Sequence, residues 1–334
     1  AFERAVLGAI EMAEKNAFLS DVESGLKKEI SKGYKKVILT FSPKFLKTDI
    51  FKKTIVRISG GKTISAKEEN KITEQVLTEA KEKISGNFAK NCGIFPENII
   101  WVSSEIISRK IDGHSFSFLA QKTGSIVEFE VFTSFLQESY LNKVRGILNG
   151  KGKYHISKIA YLADSIDFLP QKSKKNSVYL DIGGDLTQVF VLKHNKLKTV
   201  FNFEGGSYFT KAISSDLKTD EVLAEKIKNK YSDMSLDKNL TEKVKKIITK
   251  RSLLFLNNLS DKIEEKTGQD FFSSDVYMFG GGANLEDIKK TMEKEVVRFS
   301  GNVKIIYSED IKNLKNIGKV ENPQFVPATL ICFS

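Results

Sequence analysis

At 334 residues, with 40% hydrophobic and 28% charged side chains, the composition is that of a globular protein and excludes a disordered or collagen-like chain. The formal net charge of +11 invites a nucleic-acid reading, but six of the 53 basic residues are arginine and the lysines are spread along the whole chain, so no nucleic-acid partner is expected. No run of about 18 apolar residues is present to span a bilayer, and two distant cysteines with three scattered histidines offer no zinc site.

The chain opens in helical periodicity, with Phe2, Val6, Ile10 and Ala13 on one face. No capping residue precedes it, which leads us to expect further sequence upstream. Residues 35–41 (KKVILTF) and 54–59 (TIVRIS) read as strands, and Ser65 to Glu68 as a capping box opening a helix to about Lys83. Strands follow at 98–103 (NIIWVS) and 125–133 (SIVEFEVFT), the second alternating strictly. Residues 135–148 form an amphipathic helix and 156–162 a strand. A strand at 178–181 ends in glycines, and 187–193 with 197–203 flank the turn His194-Asn195-Lys196 as a hairpin. Helices are expected at 207–217, 220–231 and 243–266. The strand 275–279 then runs into Gly280-Gly281-Gly282, with a helix from Asn284.

Two glycine turns carry the chemistry. In Asp181-Ile-Gly183-Gly184-Asp185-Leu-Thr187, glycines without Cβ let amides approach and point at a phosphate. An Asp at the strand end can hold a hydrated Mg²⁺ or orient a water. The same segment also reads as an ordinary hairpin turn. The triple glycine places a helix start against whatever lies in the cleft; it is neither GxGxxG nor a P-loop. No Gly-x-Ser-x-Gly elbow exists.

The order of these pieces is the informative part. Asp-x-Gly-Gly, a hairpin, Glu204-Gly205-Gly206, a helix, Ala224-Glu-Lys-Ile-Lys228, and then the Gly280–Gly282 turn resemble the second half of the actin-like ATPase fold, and in detail the bacterial cell-division family FtsA. The resemblance implies a two-lobed α/β protein with an FtsA-type 1C (SHS2-like) α+β insertion. It divides the chain into a remnant of subdomain 1A (1–34), the 1C-like module (35–135), a return to 1A (136–176), subdomain 2A with the second phosphate loop (177–231), a reduced 2B (232–274), and the adenosine motif with the closing helix (275–334).

By the same resemblance, ATP and Mg²⁺ would be held by Asp181 (Mg²⁺ through water), Gly183, Gly184, Thr187, Gly205, Gly206, Glu225, Lys228, Gly280, Gly281 and Gly282. Glu225 and Lys228 either clasp a ribose or form an exposed helix pair. The implied function is linking FtsZ to the inner face of the cytoplasmic membrane and self-association into filaments, with ATP as a conformational ligand and at most weak hydrolysis. The FtsZ tail would dock on the 2B helix through Lys246 and Arg251, with Ile247, Leu254 and Phe255 as apolar contacts; alternatively, these apolar residues only pack the helix on its own lobe. The short 2B region also resembles PilM, the pilus-assembly member of this branch, and a nucleotide-free scaffold is a further alternative.

The chain departs from the family in several places. The first phosphate loop and the membrane-targeting tail are not in the sequence. Asp185 replaces a loop glycine, Gln188 replaces the usual Asp, Phe279 precedes the triple glycine, and Leu330 takes a small residue's place in the closing helix.

Overall fold

The computed structural model describes residues 7–8, 36–150, 154–170, 176–268, 274–295, 301–312 and 322–333. The opening helix and the 1–34 segment therefore lie outside the described residues, save for Leu7 and Gly8, which are helical.

Strand β1 (Lys36–Leu39) leads into an inserted module of β2 (Lys47–Val56), α1 (Ala66–Cys92), β3 (Ile99–Ile111), β4 (His114–Ser115) and β5 (Ile126–Gln137). Its strands form one antiparallel sheet in the order β2-β5-β3-β4. Val76 and Ala80 of α1 pack on Val127, Phe129 and Val131, the buried alternate positions of β5. Ser65 caps α1 by accepting from the Glu68 amide, and Gly93, with φ at 64°, ends it. The helix runs past Lys83 because Ile84 and Ala89 are buried against Ile99 and Phe135. β2 begins at Lys47, ahead of the expected Thr54, because it pairs with β5 along its whole length, from Lys47 beside Phe135 to Val56 beside Ile126. Helix α2 (Glu138–Gly150) then carries the chain to β6 (His155–Ile159), which pairs in parallel with β1. The chain goes on through Tyr161 into a short 3-10 turn, Leu162–Phe168.

The second lobe is built on β7 (Ser177–Ile182), β8 (Leu186–Lys193) and β9 (Lys196–Glu204), helices α3 (Ser207–Leu217), α4 (Glu221–Ser232) and α5 (Lys238–Thr267), then β10 (Asp275–Phe279), α6 (Glu286–Glu295), β11 (Val303–Ile305) and α7 (Val326–Leu330). Sheet order is β11-β10-β7-β8-β9, parallel from β11 to β7 and antiparallel beyond. Both faces are covered, which is why Val178–Leu180 of β7 and Val276–Phe279 of β10 read as apolar runs without alternation. Val178, Leu180, Val276 and Met278 face a core with α3, α5 and α6. Tyr179, Tyr277, Phe190 and Phe279 face the other way, into a core shared with Leu46, Phe132 and Tyr161 of the first half of the chain and with Val326 and Leu330 of α7. Leu330 thus fills space in that shared core, at 0% exposure. Each such large side chain contributes about 1.5–3 kcal/mol by leaving water.

Candidate functional site

The register of β7 and β10 sets Phe279 beside Asp181, so the turns after both strands leave the sheet side by side. They abut closely. A Cβ on Gly280, whose φ is +85°, would stand 2.4 Å from Asp181 Oδ1, and one on Gly282 would stand 2.3 Å from Ile182 Cγ2. Only glycine allows that approach. The Gly205-Gly206 turn closes on the same loop: the Gly205 amide donates to the Asp185 carbonyl at 3.2 Å, Gly206 to Gly183 at 2.8 Å and Ser207 to Gly184 at 2.7 Å. The Ser207 amide, the first of α3, is therefore engaged with a loop carbonyl. The Gly183 amide, too, is taken, by the Leu186 carbonyl at 3.0 Å. Among the described residues the amides of Gly184 and Asp185 find no partner, and a Cβ on Gly184 would meet nothing within 4 Å. This is the open side of the cradle.

Asp181 sits half-buried at its edge, and no donor among the described residues reaches its carboxylate. Burial pushes it up to about 7. Gly281 lies over Gln324, whose Cβ would be 3.9 Å from one added there. Thr187 is buried, and its hydroxyl donates to the Glu204 carbonyl at 2.6 Å, tying β8 to β9. Lys228 is buried as well. Its ammonium donates to the Gly206 carbonyl at 3.2 Å, Thr210 Oγ1 at 2.9 Å and Glu225 Oε2 at 2.8 Å, while the Thr210 hydroxyl also donates to Glu225. The Glu225–Lys228 pair thus clamps α4 to the start of α3. Burial raises the Glu225 carboxyl, but the bonds from Lys228 and Thr210 outweigh it and hold the group below its ordinary range.

A cavity of about 680 Å³ opens beyond the triple glycine, between Tyr231 and Ser232 of α4, the first half of α5, Asn284, Asp287 and Pro323. A second, of about 400 Å³, lies where the inserted module meets the core, lined by Glu105, Arg109, Asp164, Asp167, Asn195 and Lys196 among others. There burial, and next the charge of Glu105, push Asp164 up to about 6 against a Ser103 hydrogen bond and the charge of Lys158.

Lys246 is exposed and Arg251 half-buried on α5. Of the apolar residues expected to face a partner, Phe255 belongs to the core at 0% exposure and Ile247 packs against it, leaving Leu254 exposed at 42%. Sequence reading missed Lys44, Tyr161 and Thr210. Asp185 lies 3.7 Å from Lys44 Nζ, and the Gln188 amide donates to Tyr161 Oη at 3.0 Å. No local pattern marks any of the three.

Residues 178–329 match the family model for cell division protein FtsA. Among solved structures, the chain is similar to that titled PilM-PilN type IV pilus biogenesis complex, at 15% identity over 91% of this chain and 81% of that one, with a TM-score of 0.58. The fold is actin-like, and the matched segment is FtsA-like. The chain is also similar to ethanolamine utilization protein EutJ from Carboxydothermus hydrogenoformans (14% identity, 57% of this chain, 59% of that one, TM-score 0.40). A further match is MreB 5 of Spiroplasma citri bound to AMPPNP (13% identity, 59% of this chain, 64% of that one, TM-score 0.40). No curated protein matches the chain in sequence. Among the described residues no helix is long and apolar enough to cross a membrane.

Proposed function

We propose that this chain is an FtsA-type scaffold that links FtsZ to the inner, cytoplasmic face of the cell membrane and associates with further copies of itself, with ATP–Mg²⁺ as a conformational ligand. The observation that carries this reading is the meeting of three glycine turns at one end of the second-lobe sheet, in FtsA-like order, around two open amides. The residues fit a Mg²⁺-nucleotide. Gly184 and Asp185 would offer amides to a phosphate, Asp181 would hold the metal through water, and the cavity beside Asn284 has room for a nucleoside. When bound, the nucleotide would supply charge that bridges the lobes. Lys228, held by three internal bonds, orders the α3–α4 junction behind the site and stays where it is.

The partner surface on this reading is α5, where Lys243, Lys246 and Lys250 are exposed on the side of the helix that carries Leu254. An acidic, partly apolar tail of FtsZ would suit it. Reversing both charges, Lys246→Glu with Arg251→Glu, should leave stability within about 0.5 kcal/mol and weaken capture of an FtsZ tail peptide about tenfold. Undiminished capture removes the division reading. A second reading, a PilM-like pilus scaffold, is favoured by the cavity between module and core. Its lining of Glu105, Asp164 and Asp167 with Arg109 and Lys196, near Ile106 and Ile166, would suit a partner segment carrying charges of both signs among aliphatic side chains. Capture of a PilN segment but never of FtsZ would install that reading.

A further inference from the structure

The two positions at which the first glycine turn departs from the family pattern both face the first half of the chain. Gln188 is buried at 3% exposure, and its Nε2 donates to Tyr161 Oη at 3.0 Å. Tyr161 is itself buried at 1%, stacked on Phe132 of β5 (centroids 5.6 Å apart, planes 17° off parallel) and tilted against Phe190 of β8 at 6.5 Å. At the rim, Asp185 meets Lys44, which comes from the loop between β1 and β2, at 3.7 Å. Farther along the same seam, Glu130 of β5 takes Lys198 of β9 at 3.5 Å and Lys52 at 3.2 Å.

We propose that the 181–188 turn is an inter-lobe latch, with Gln188–Tyr161 as its buried pivot and Asp185–Lys44 as its rim, closing the cleft with a protein carboxylate where a phosphate would otherwise bridge the lobes. The residue types suit the task. A neutral amide donates to the phenol oxygen without placing a charge in the shared core, where an Asp at 188 would stand close to Asp181 and demand its own cation. Aspartate in place of a loop glycine sets a fixed negative charge beside the two open amides and gives Lys44 an anion to hold. An entering phosphate must displace Asp185 from Lys44. Replacing that carboxylate by glycine both frees the amides and opens the rim. The latch rests on the actin-like fold and does not depend on which partner the scaffold serves.

Distances between spin labels at two exposed positions, Lys71 on α1 and Lys226 on α4, test the proposal in the whole chain, with the exposed Cys92 and Cys332 replaced by serine. Without nucleotide, the parent protein should give a single narrow distance distribution. Asp185→Gly should raise the population of longer distances about twofold to fivefold, as expected for an exposed ion pair. Gln188→Leu should raise it about tenfold. The charge swap, Lys44→Asp with Asp185→Lys, should restore the narrow distribution that Lys44→Asp alone loses. A parent distribution that is already broad, or one that Asp185→Gly leaves unmoved, overturns the latch. Asp185 is exposed, so that variant tests the rim without risk to folding. Calorimetry on the same samples should show ATP–Mg²⁺ affinity rising severalfold in Asp185→Gly; if no variant binds nucleotide, the nucleotide reading falls while the distances still decide the latch.

Discussion

Asp181 and Asp164 are both carboxylates held above their ordinary range, at about 7 and about 6, yet they belong to unlike regions. Asp181 ends a strand between glycine turns, and burial alone raises it. Asp164 lines the cavity between module and core, where the charge of Glu105 adds to burial and Ser103 and Lys158 oppose it. The first region is made of backbone. Its spacing is fixed by atoms that cannot rotate away, and its lysines are engaged with other carboxylates, Lys228 with Glu225 and Lys44 with Asp185, leaving Asp181 without a cation among the described residues. The second is made of side chains of both signs, which can trade partners. A backbone-built site should therefore be brittle to shape and sensitive to an added cation, and a side-chain-built site the reverse.

The most severe way to break the first region is Gly280→Ala. The new Cβ would stand 2.4 Å from Asp181 Oδ1 and 2.8 Å from the Ile182 carbonyl oxygen, on a backbone with φ of +85°. Urea unfolding should show a loss of about 3 kcal/mol or more. Gly184→Ala, with nothing within 4 Å of the new carbon, should cost under about 1 kcal/mol. Equal losses would mean that the turns do not abut as described.

Next in size is Asp181→Asn. A carboxyl raised on folding stabilises the native state in its protonated form, so its contribution is whole below about pH 4 and is lost as pH rises through about 7. Asparagine keeps the neutral form at every pH. With the half-exposed site screened by solvent, the variant should be more stable than the parent by about 1–2 kcal/mol at pH 8 and no more stable at pH 4. A gain that is flat with pH would assign it to packing.

The smallest effect belongs to the mixed region. By the same sign, Asp164→Asn should gain stability over the parent as pH rises from about 4 to about 6 and hold that gain above, by about 0.5–1 kcal/mol. Glu105→Gln should move the Asp164 titration, read from its carboxyl carbon by NMR, back toward the ordinary range. An unmoved titration would leave burial as the sole cause and erase the contrast between the regions.

Much of the second lobe was legible because its signals are local. Residues 207–217 and 275–279 are helix and strand as read, since Val276 to Phe279 is an apolar run stopped by glycine and α3 follows a glycine pair. The gathering of Asp181, Gly183, Gly205 and Gly280 was legible only from their order along the chain. What stayed hidden depends on neighbours distant in sequence. Nothing near Thr187 reveals that its hydroxyl meets the Glu204 carbonyl, nor near Lys228 that three acceptors surround its ammonium. Phe255 sits one position from the exposed Leu254, and helical spacing alone does not fix where the edge of a buried stripe falls on a 30-residue helix. β2 was cut short because Lys47, Asp49, Lys52 and Lys53 hide its period, and only the β5 partner shows that the strand begins at Lys47.

The pairing of β1 with β6 bears on how the chain comes together during synthesis. Lys36 finds His155 across the sheet, yet the whole inserted module is made between them. Bringing such ends together through a flexible loop on the order of 100 residues is slow and entropically costly. The module's own ends, however, are paired, Lys47 beside Phe135. Once β2 and β5 have zipped, the open loop shrinks to residues 40–46 on one side and α2 with its flanks on the other, and β1 is delivered to its partner with the module no longer counting toward the loop. Folding of the insertion is then a licence for folding of the lobe that carries it. A lesion in β5, such as one at Val131 or Phe129, should delay the burial of Tyr161 as well as that of its own sheet.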